Sequence, residues 1–303
     1  MATICSEYTF SKQNFTNLKS LAMLMIIYHH VLKEFLPLSP VLDVICEHFG
    51  YIGAGVFFFL SGYGLSKSFE KNNIVRKEWI KNKVIKLYIP FIFIFILSLF
   101  LILVFKKEYS LFEATKDFLT FSLPNKTTWF YKVIIGFYVL MPLVYRLRCN
   151  NQIRSFVVLL VTIIYIILAS KIADSYWYNT VLNFPLGMIV ANFPLLKGLR
   201  FTKYLVSFLS VLFILSFFVR IPAFILSLCV SYLLTIIFGL LPMNFGKINI
   251  LSSESIKYYL FHVVLLDYVV VLNCGITISL IVLLSLCTII IFFYNRVVES
   301  RIV

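Results

Sequence analysis

Charge is the scarcest property of this chain: 13% of its 303 residues are Asp, Glu, Lys or Arg, while 61% are hydrophobic. Soluble domains carry about 25% charged residues. A soluble globular protein is therefore excluded, and the mean hydropathy of +0.96 points to a polytopic membrane protein. Acidic residues are scarcer still, 13 against 27 Lys and Arg. In a soluble chain the net charge of +14 would suggest nucleic acid, but in a membrane chain basic residues collect in cytoplasmic loops, so topology accounts for the excess and no nucleic-acid partner is expected. The cysteines, Cys5, Cys46, Cys149, Cys229, Cys274 and Cys287, contain no Cys-x-x-Cys pair. That spacing indicates neither a zinc nor a redox motif, so no metal is expected and the thiols read as apolar fillers. The chain also lacks a Pro- or Gly-rich linker and a visible internal repeat, and reads as one membrane-embedded domain over 1–303. A helical span takes about 20 residues, so ten spans use about 200 and leave no room for an appended soluble domain. Any chemistry must take place among the helices. The polar start, 1–16, with Glu7 and Lys12, is unlike the basic-then-apolar order of a signal peptide and is expected to be a cytoplasmic lead-in.

What is present is a series of apolar runs. Spans are expected at 17–36, 48–66, 84–105, 128–146, 155–170, 177–193, 203–219, 222–241, 257–273 and 275–294, an all-α fold of about ten transmembrane helices. With a cytoplasmic N-terminus, nineteen of the 27 Lys and Arg fall on the inner side and eight on the outer. This predicts that both termini are cytoplasmic. The densest basic segment, 67–86, holds Lys67, Lys71, Arg76, Lys77, Lys81, Lys83 and Lys86 against Glu70 and Glu78. It reads as an orientation signal beside anionic lipid, or as a holder of a phosphorylated cytoplasmic ligand, since clustered lysines neutralise phosphates as point charges.

Ionisable groups inside spans are costly and mark sites. The first span carries Lys19, His29 and His30. Lys19 and His30 are eleven residues apart, close to three turns, and so share one helix face at about 16 Å along the axis. His30 reads as a general base, because histidine titrates in the useful range, or as a structural histidine bonded to a neighbour. Glu34 lies at i+4 from His30. It would orient the imidazole as a third group does in triads, or sit as an interfacial carboxylate beside Lys33. His29 projects about 100° away and reads as a packing residue. The glycines Gly53, Gly55, Gly62 and Gly64 let helix backbones approach closely, and Trp129 heads an interfacial aromatic group. His262 and Asp267 share the ninth span about 140° apart, so Asp267 needs a partner on another helix, with Arg220 a candidate.

Together these residues resemble the family-3 membrane acyltransferases, the bacterial group that acylates sugars of surface polysaccharides and related glycans. That family's first helix carries an arginine, ten residues and a histidine; here Lys19, ten residues and His30 fill the spacing, with lysine in the arginine's place. Phe57-Phe58-Phe59-Leu60-Ser61-Gly62-Tyr63 is similar to its aromatic run ending in Ser-Gly-aromatic. Lys83-Val84-Ile85-Lys86-Leu87-Tyr88-Ile89-Pro90 is similar to its basic pair ahead of a proline. Trp129-Phe130 with Tyr138 and Pro142, then 184–187, then 255–262, follow in the family's order. The resemblance runs over nearly the whole chain. It implies an integral O-acyltransferase, in particular an O-acetyltransferase, of the bacterial cytoplasmic membrane. The donor would be acetyl-CoA or another acyl-CoA, entering from the cytoplasm past Lys19, Lys83 and Lys86. The acceptor would be a hydroxyl of a cell-surface or lipid-linked glycan, near Trp129, Tyr138 and His262, with His30 as base and Glu34 beside it. The alternative is a proton-coupled transporter or flippase, in which His30, Glu34 and Asp267 relay protons; no inverted repeat or pair of broken helices marks such a fold.

Overall fold

The computed structural model describes residues 12–35, 40–72, 77–105, 108–124, 126, 128–193, 211, 223–240 and 246–298. Regular structure among them is helical, apart from an isolated bridge between Leu123 and Lys126. The principal helices are α1 (Lys12–Phe35), α2 (Pro40–Asn72), α3 (Lys77–Val104), α4 (Leu111–Leu119), α5 (Trp129–Tyr145), α6 (Asn151–Ala169), α7 (Asn183–Asn192), α8 (Ala223–Leu240), α9 (Ser255–Val270) and α10 (Ile276–Val297). Four described stretches are long and apolar enough to cross a membrane: Cys46–Glu70 in α2, Ile85–Val104 in α3, all of α6 and all of α10. Leu160, Ile164, Ile167 and Leu168 on α6, and Ile281, Ile289, Phe292 and Phe293 on α10, are exposed. Apolar faces of this kind are stable against lipid tails, which solvate them as well as protein does.

The expected first span, 17–36, falls on α1, which is not one of these four stretches, and two further elements differ from the sequence reading. The expected span 177–193 is a 3-10 turn at Ser175–Trp177 followed by α7, whose ten residues reach about 15 Å, half a hydrocarbon core. Most of α7 is buried in protein, including Phe184, Gly187 and Met188. The segment 106–127, expected to be an outer loop, contains α4. Its start is fixed by a capping box: the Glu113 N–H donates to Ser110 Oγ at 3.2 Å and the Ser110 N–H donates to Glu113 Oε2 at 2.8 Å. The expected span 203–219 lies outside the described residues, residue 211 apart.

The chain forms two compact units, each from separate segments: 1–26, 47–75 and 133–253 in the first, and 27–46, 76–132 and 254–303 in the second. In the first unit α2 crosses α7 at backbone distance. A Cβ on Gly62 would overlap the Phe184 carbonyl oxygen, and a Cβ on Gly187 would overlap that of Phe59. Polar side chains tie the same unit: Ser66 Oγ donates to Asn192 Oδ1 at 3.0 Å and Asn192 Nδ2 donates to Ser155 Oγ at 2.8 Å.

In the second unit α9 packs between α3 and α10. Phe93 of α3 meets Phe261 at 5.9 Å and Tyr294 at 5.2 Å between ring centroids. Pro90 deprives the Lys86 carbonyl of its helical donor, and the next carbonyl, Leu87, accepts the Tyr131 hydroxyl at 2.7 Å. Lys257, largely buried, is neutralised by Glu254 at 2.6 Å and bonded to Asn295 at 2.5 Å.

Candidate active site

The second unit brings two histidines together. His30, half-buried near the end of α1, lies 5.2 Å between ring centroids from His262 of α9, with the planes tilted by 47°. His262 is fully buried, and its Nδ1 stands 2.8 Å from the carbonyl oxygen of Tyr258, one turn earlier on α9. A carbonyl only accepts, so Nδ1 carries the hydrogen and Nε2 keeps a bare lone pair. That Nε2 is buried and has no hydrogen-bond partner among the described residues.

His29 faces elsewhere. Its Nδ1 donates to the Cys46 carbonyl at 2.7 Å, and the Cys46 thiol lies 3.4 Å from the His29 carbonyl oxygen. This reciprocal clasp holds the end of α1 to the first turns of α2, a packing role that leaves the neighbouring His30 turned toward α9.

A run of ring contacts leads away from the pair. His262 meets Tyr259 at 5.8 Å, Tyr259 meets Phe130 at 5.2 Å, and Phe130 meets Trp129 at 6.0 Å. The Tyr259 side chain is hydrogen-bonded to the Phe130 backbone. Beside this run, Lys126 Nζ lies 2.6 Å from Asp267 Oδ1, and the Lys126 charge acts on both His30 and His262. Hydrogen bonds brace the residues around Lys126: Leu123 and Lys126 exchange backbone hydrogen bonds of 3.2 and 2.8 Å, the Thr128 hydroxyl donates to the Phe121 carbonyl, and Lys132 Nζ donates to Ser122 Oγ at 2.7 Å. Arg220 lies outside the described residues. Lysine 126 escaped the sequence reading because nothing in a lone loop lysine announces a partner 141 residues away.

The family model described as an acyltransferase domain, acyltransferase 3, matches residues 13–294. The chain belongs to this family. No curated protein and no solved structure matches it. The other side chains singled out in the sequence are distributed through this acyltransferase as follows. Lys83 and Lys86 lie one turn apart on α3 in the same unit as the histidines, Lys83 half-buried and Lys86 exposed. Burial, and after it the charge of Lys86, holds the Lys83 ammonium below its ordinary range. Trp129 opens α5 at the end of the ring run. Glu34 is exposed, and no hydrogen bond or ion pair joins it to His30 or to another described residue. Lys19 and Tyr138 belong to the first unit, where Tyr138 is hydrogen-bonded to Ser61 of the Ser-Gly-aromatic motif.

The acyltransferase thus has, near the end of α1, an imidazole flanked by a second imidazole with an uncommitted lone pair, a cation within electrostatic reach, and an aromatic wall. Such a group can accept a proton and steady the positive charge that follows.

Proposed function

We propose that the protein is an integral O-acyltransferase of the bacterial cytoplasmic membrane. It moves an acyl group, acetyl in the first instance, from cytoplasmic acyl-CoA to a hydroxyl of a cell-surface or lipid-linked glycan. It works as one membrane-embedded domain with both termini cytoplasmic. The observation that carries this reading is the imidazole of His30 set against the buried His262 in a chain that matches an acyltransferase family from residue 13 to residue 294.

In this reaction a sugar hydroxyl, a poor nucleophile, attacks the thioester carbonyl while His30 takes its proton. The new carbon–oxygen bond forms, the carbon–sulfur bond breaks, and the departing thiolate recovers the proton from the imidazolium. Lys83 and Lys86 face the donor's phosphates as point charges. Trp129 receives the acceptor through its apolar ring face. Acyl transfer is preferred to transport of a lipid-linked sugar because the family is one of acyltransferases.

The test uses membrane vesicles given labelled acetyl-CoA and the host's glycan fraction. His30→Ala should insert normally and lose activity by about 10²–10⁴-fold, the range a positioned general base supplies. Full activity of that variant would remove His30 from the mechanism. Mass spectrometry of glycans from cells with and without the gene reads out acyl group and acceptor together.

A further inference from the structure

The base needs its own orientation, and Glu34, the carboxylate at i+4, is exposed and makes no bond to it. The neighbour that meets the His30 ring from another helix is His262, 5.2 Å away between centroids. Three features of His262 bear on its role. It is fully buried. Its Nδ1–H is committed to the Tyr258 carbonyl at 2.8 Å, which fixes both the tautomer and the ring's rotation. Its Nε2 is then an acceptor with no partner among the described residues, although unanswered buried acceptors are costly and rare.

We infer that His262 is the positioning residue of the base: its Nε2 lone pair, unbonded among the described residues, accepts the N–H of His30 in the reacting state, so that the opposite nitrogen of His30 meets the acceptor hydroxyl with a bare lone pair. This rests on His30 being the base. When the hydroxyl proton arrives, His30 becomes an imidazolium, and its bond to Nε2 becomes charge-assisted and stronger. The stabilisation therefore grows with the charge that forms during reaction. The Tyr258 carbonyl cannot take a proton, so His262 does not pass one onward. The transferred proton stays on the outward nitrogen of His30 until the thiolate leaving group removes it, while the N–H that faces His262 stays in place. A neutral ring takes the place that a carboxylate holds in other triads, and it avoids placing an anion in an apolar helix bundle. Lys126, whose charge acts on both rings, is meanwhile held by Asp267.

Two amide substitutions separate this role from packing. The amide of glutamine extends to about the position of Nε2 and offers an oxygen there, whereas that of asparagine reaches only the position of Nδ1 and keeps just the bond to Tyr258. In the full-length protein in vesicles, His262→Asn should lower kcat by on the order of tenfold to a hundredfold, part of what a positioned base supplies. KM for acetyl-CoA and glycan should be unchanged, and His262→Gln should restore kcat to within a few-fold of wild type. If the asparagine variant equals wild type, or if both variants are equally impaired, the positioning role is overturned. Nitrogen-15 spectra of the unmutated protein, labelled at its four histidines, supply a check that needs no variant to fold. His262 should carry hydrogen on Nδ1 and none on Nε2; hydrogen on Nε2 overturns the assignment. Activity retained in His30→Ala would instead defeat the base itself, so the two failures are told apart.

Discussion

At Lys83 two penalties fall on one ammonium, burial first and then the neighbouring charge of Lys86. A phosphate bound there would relieve both, so the proposed donor binding at Lys83 selects the protonated lysine. Because the pKa is lowered, Lys83 loses its charge at a lower pH than an ordinary lysine does as pH rises. The KM for acetyl-CoA should therefore climb on the alkaline side. Arginine stays protonated throughout this range, so Lys83→Arg should flatten that climb when KM is measured between roughly pH 7 and 10. Superimposable wild-type and variant profiles would detach Lys83 from donor binding. The histidine pair shows what the sequence can and cannot reveal at this scale. The cost of ionisable groups in an apolar span singled out His30, and helical spacing set Glu34 beside it, since periodicity detects only neighbours on the same helix. His262 stands on α9, and its fixed tautomer comes from a backbone carbonyl that no side-chain pattern encodes. Asp267 shows the same limit: the need for a partner followed from its expected place within a span, but the partner, Lys126, had to come from the fold.

Among the elements, the crossing of α2 and α7 depends on two glycines that each abut a backbone carbonyl of the other helix, Gly62 on Phe184 and Gly187 on Phe59. Backbone cannot rotate aside as a side chain can, so an added methyl must push the helices apart. Gly62→Ala or Gly187→Ala should cost about 1–3 kcal/mol, the usual range for overpacking, and lower the melting temperature in detergent by several degrees. Gly64 on the same helix has open space around its Cα, so Gly64→Ala should melt as wild type does. Equal melting of all three variants would mean that the close crossing is absent. The sequence run Phe57 to Tyr63 announced small residues for close packing but not which helix they meet. The apolar stretch around Phe184 promised a span because hydropathy measures burial without distinguishing lipid from protein, and α7 is buried by protein. Conversely α4 was legible in principle: Ser110 and Glu113 are the signature of a capping box, overlooked because Leu111, Phe112 and Leu119 are too few apolar residues to register as a span.

For the whole molecule, low charge and long apolar runs sufficed to place the chain in a membrane, and the exposed apolar faces of α6 and α10 agree. The division into two units built from interleaved segments was not legible, because it depends on contacts between residues far apart in sequence. Orientation is where sequence and structure can be joined in one measurement. The sequence expectation of ten alternating spans, with 177–193 counted among them, predicts that the turn between α9 and α10 is on the outer side and the link between α5 and α6 in the cytoplasm. Each carries a free cysteine: Cys274, exposed, in the first, and Cys149, half-buried, in the second. Cys46 and Cys287 are buried and out of reach of a bulky reagent. A membrane-impermeant maleimide applied to intact spheroplasts should therefore modify Cys274, and Cys274→Ser should abolish that labelling. Cys149 should become reactive only after the membrane is permeabilised. Labelling of Cys149 in intact spheroplasts, with Cys274 protected until permeabilisation, would invert the topology. The basic segment 67–86 would then face away from the cytoplasm, and cytoplasmic acyl-CoA could no longer be the donor held by Lys83 and Lys86.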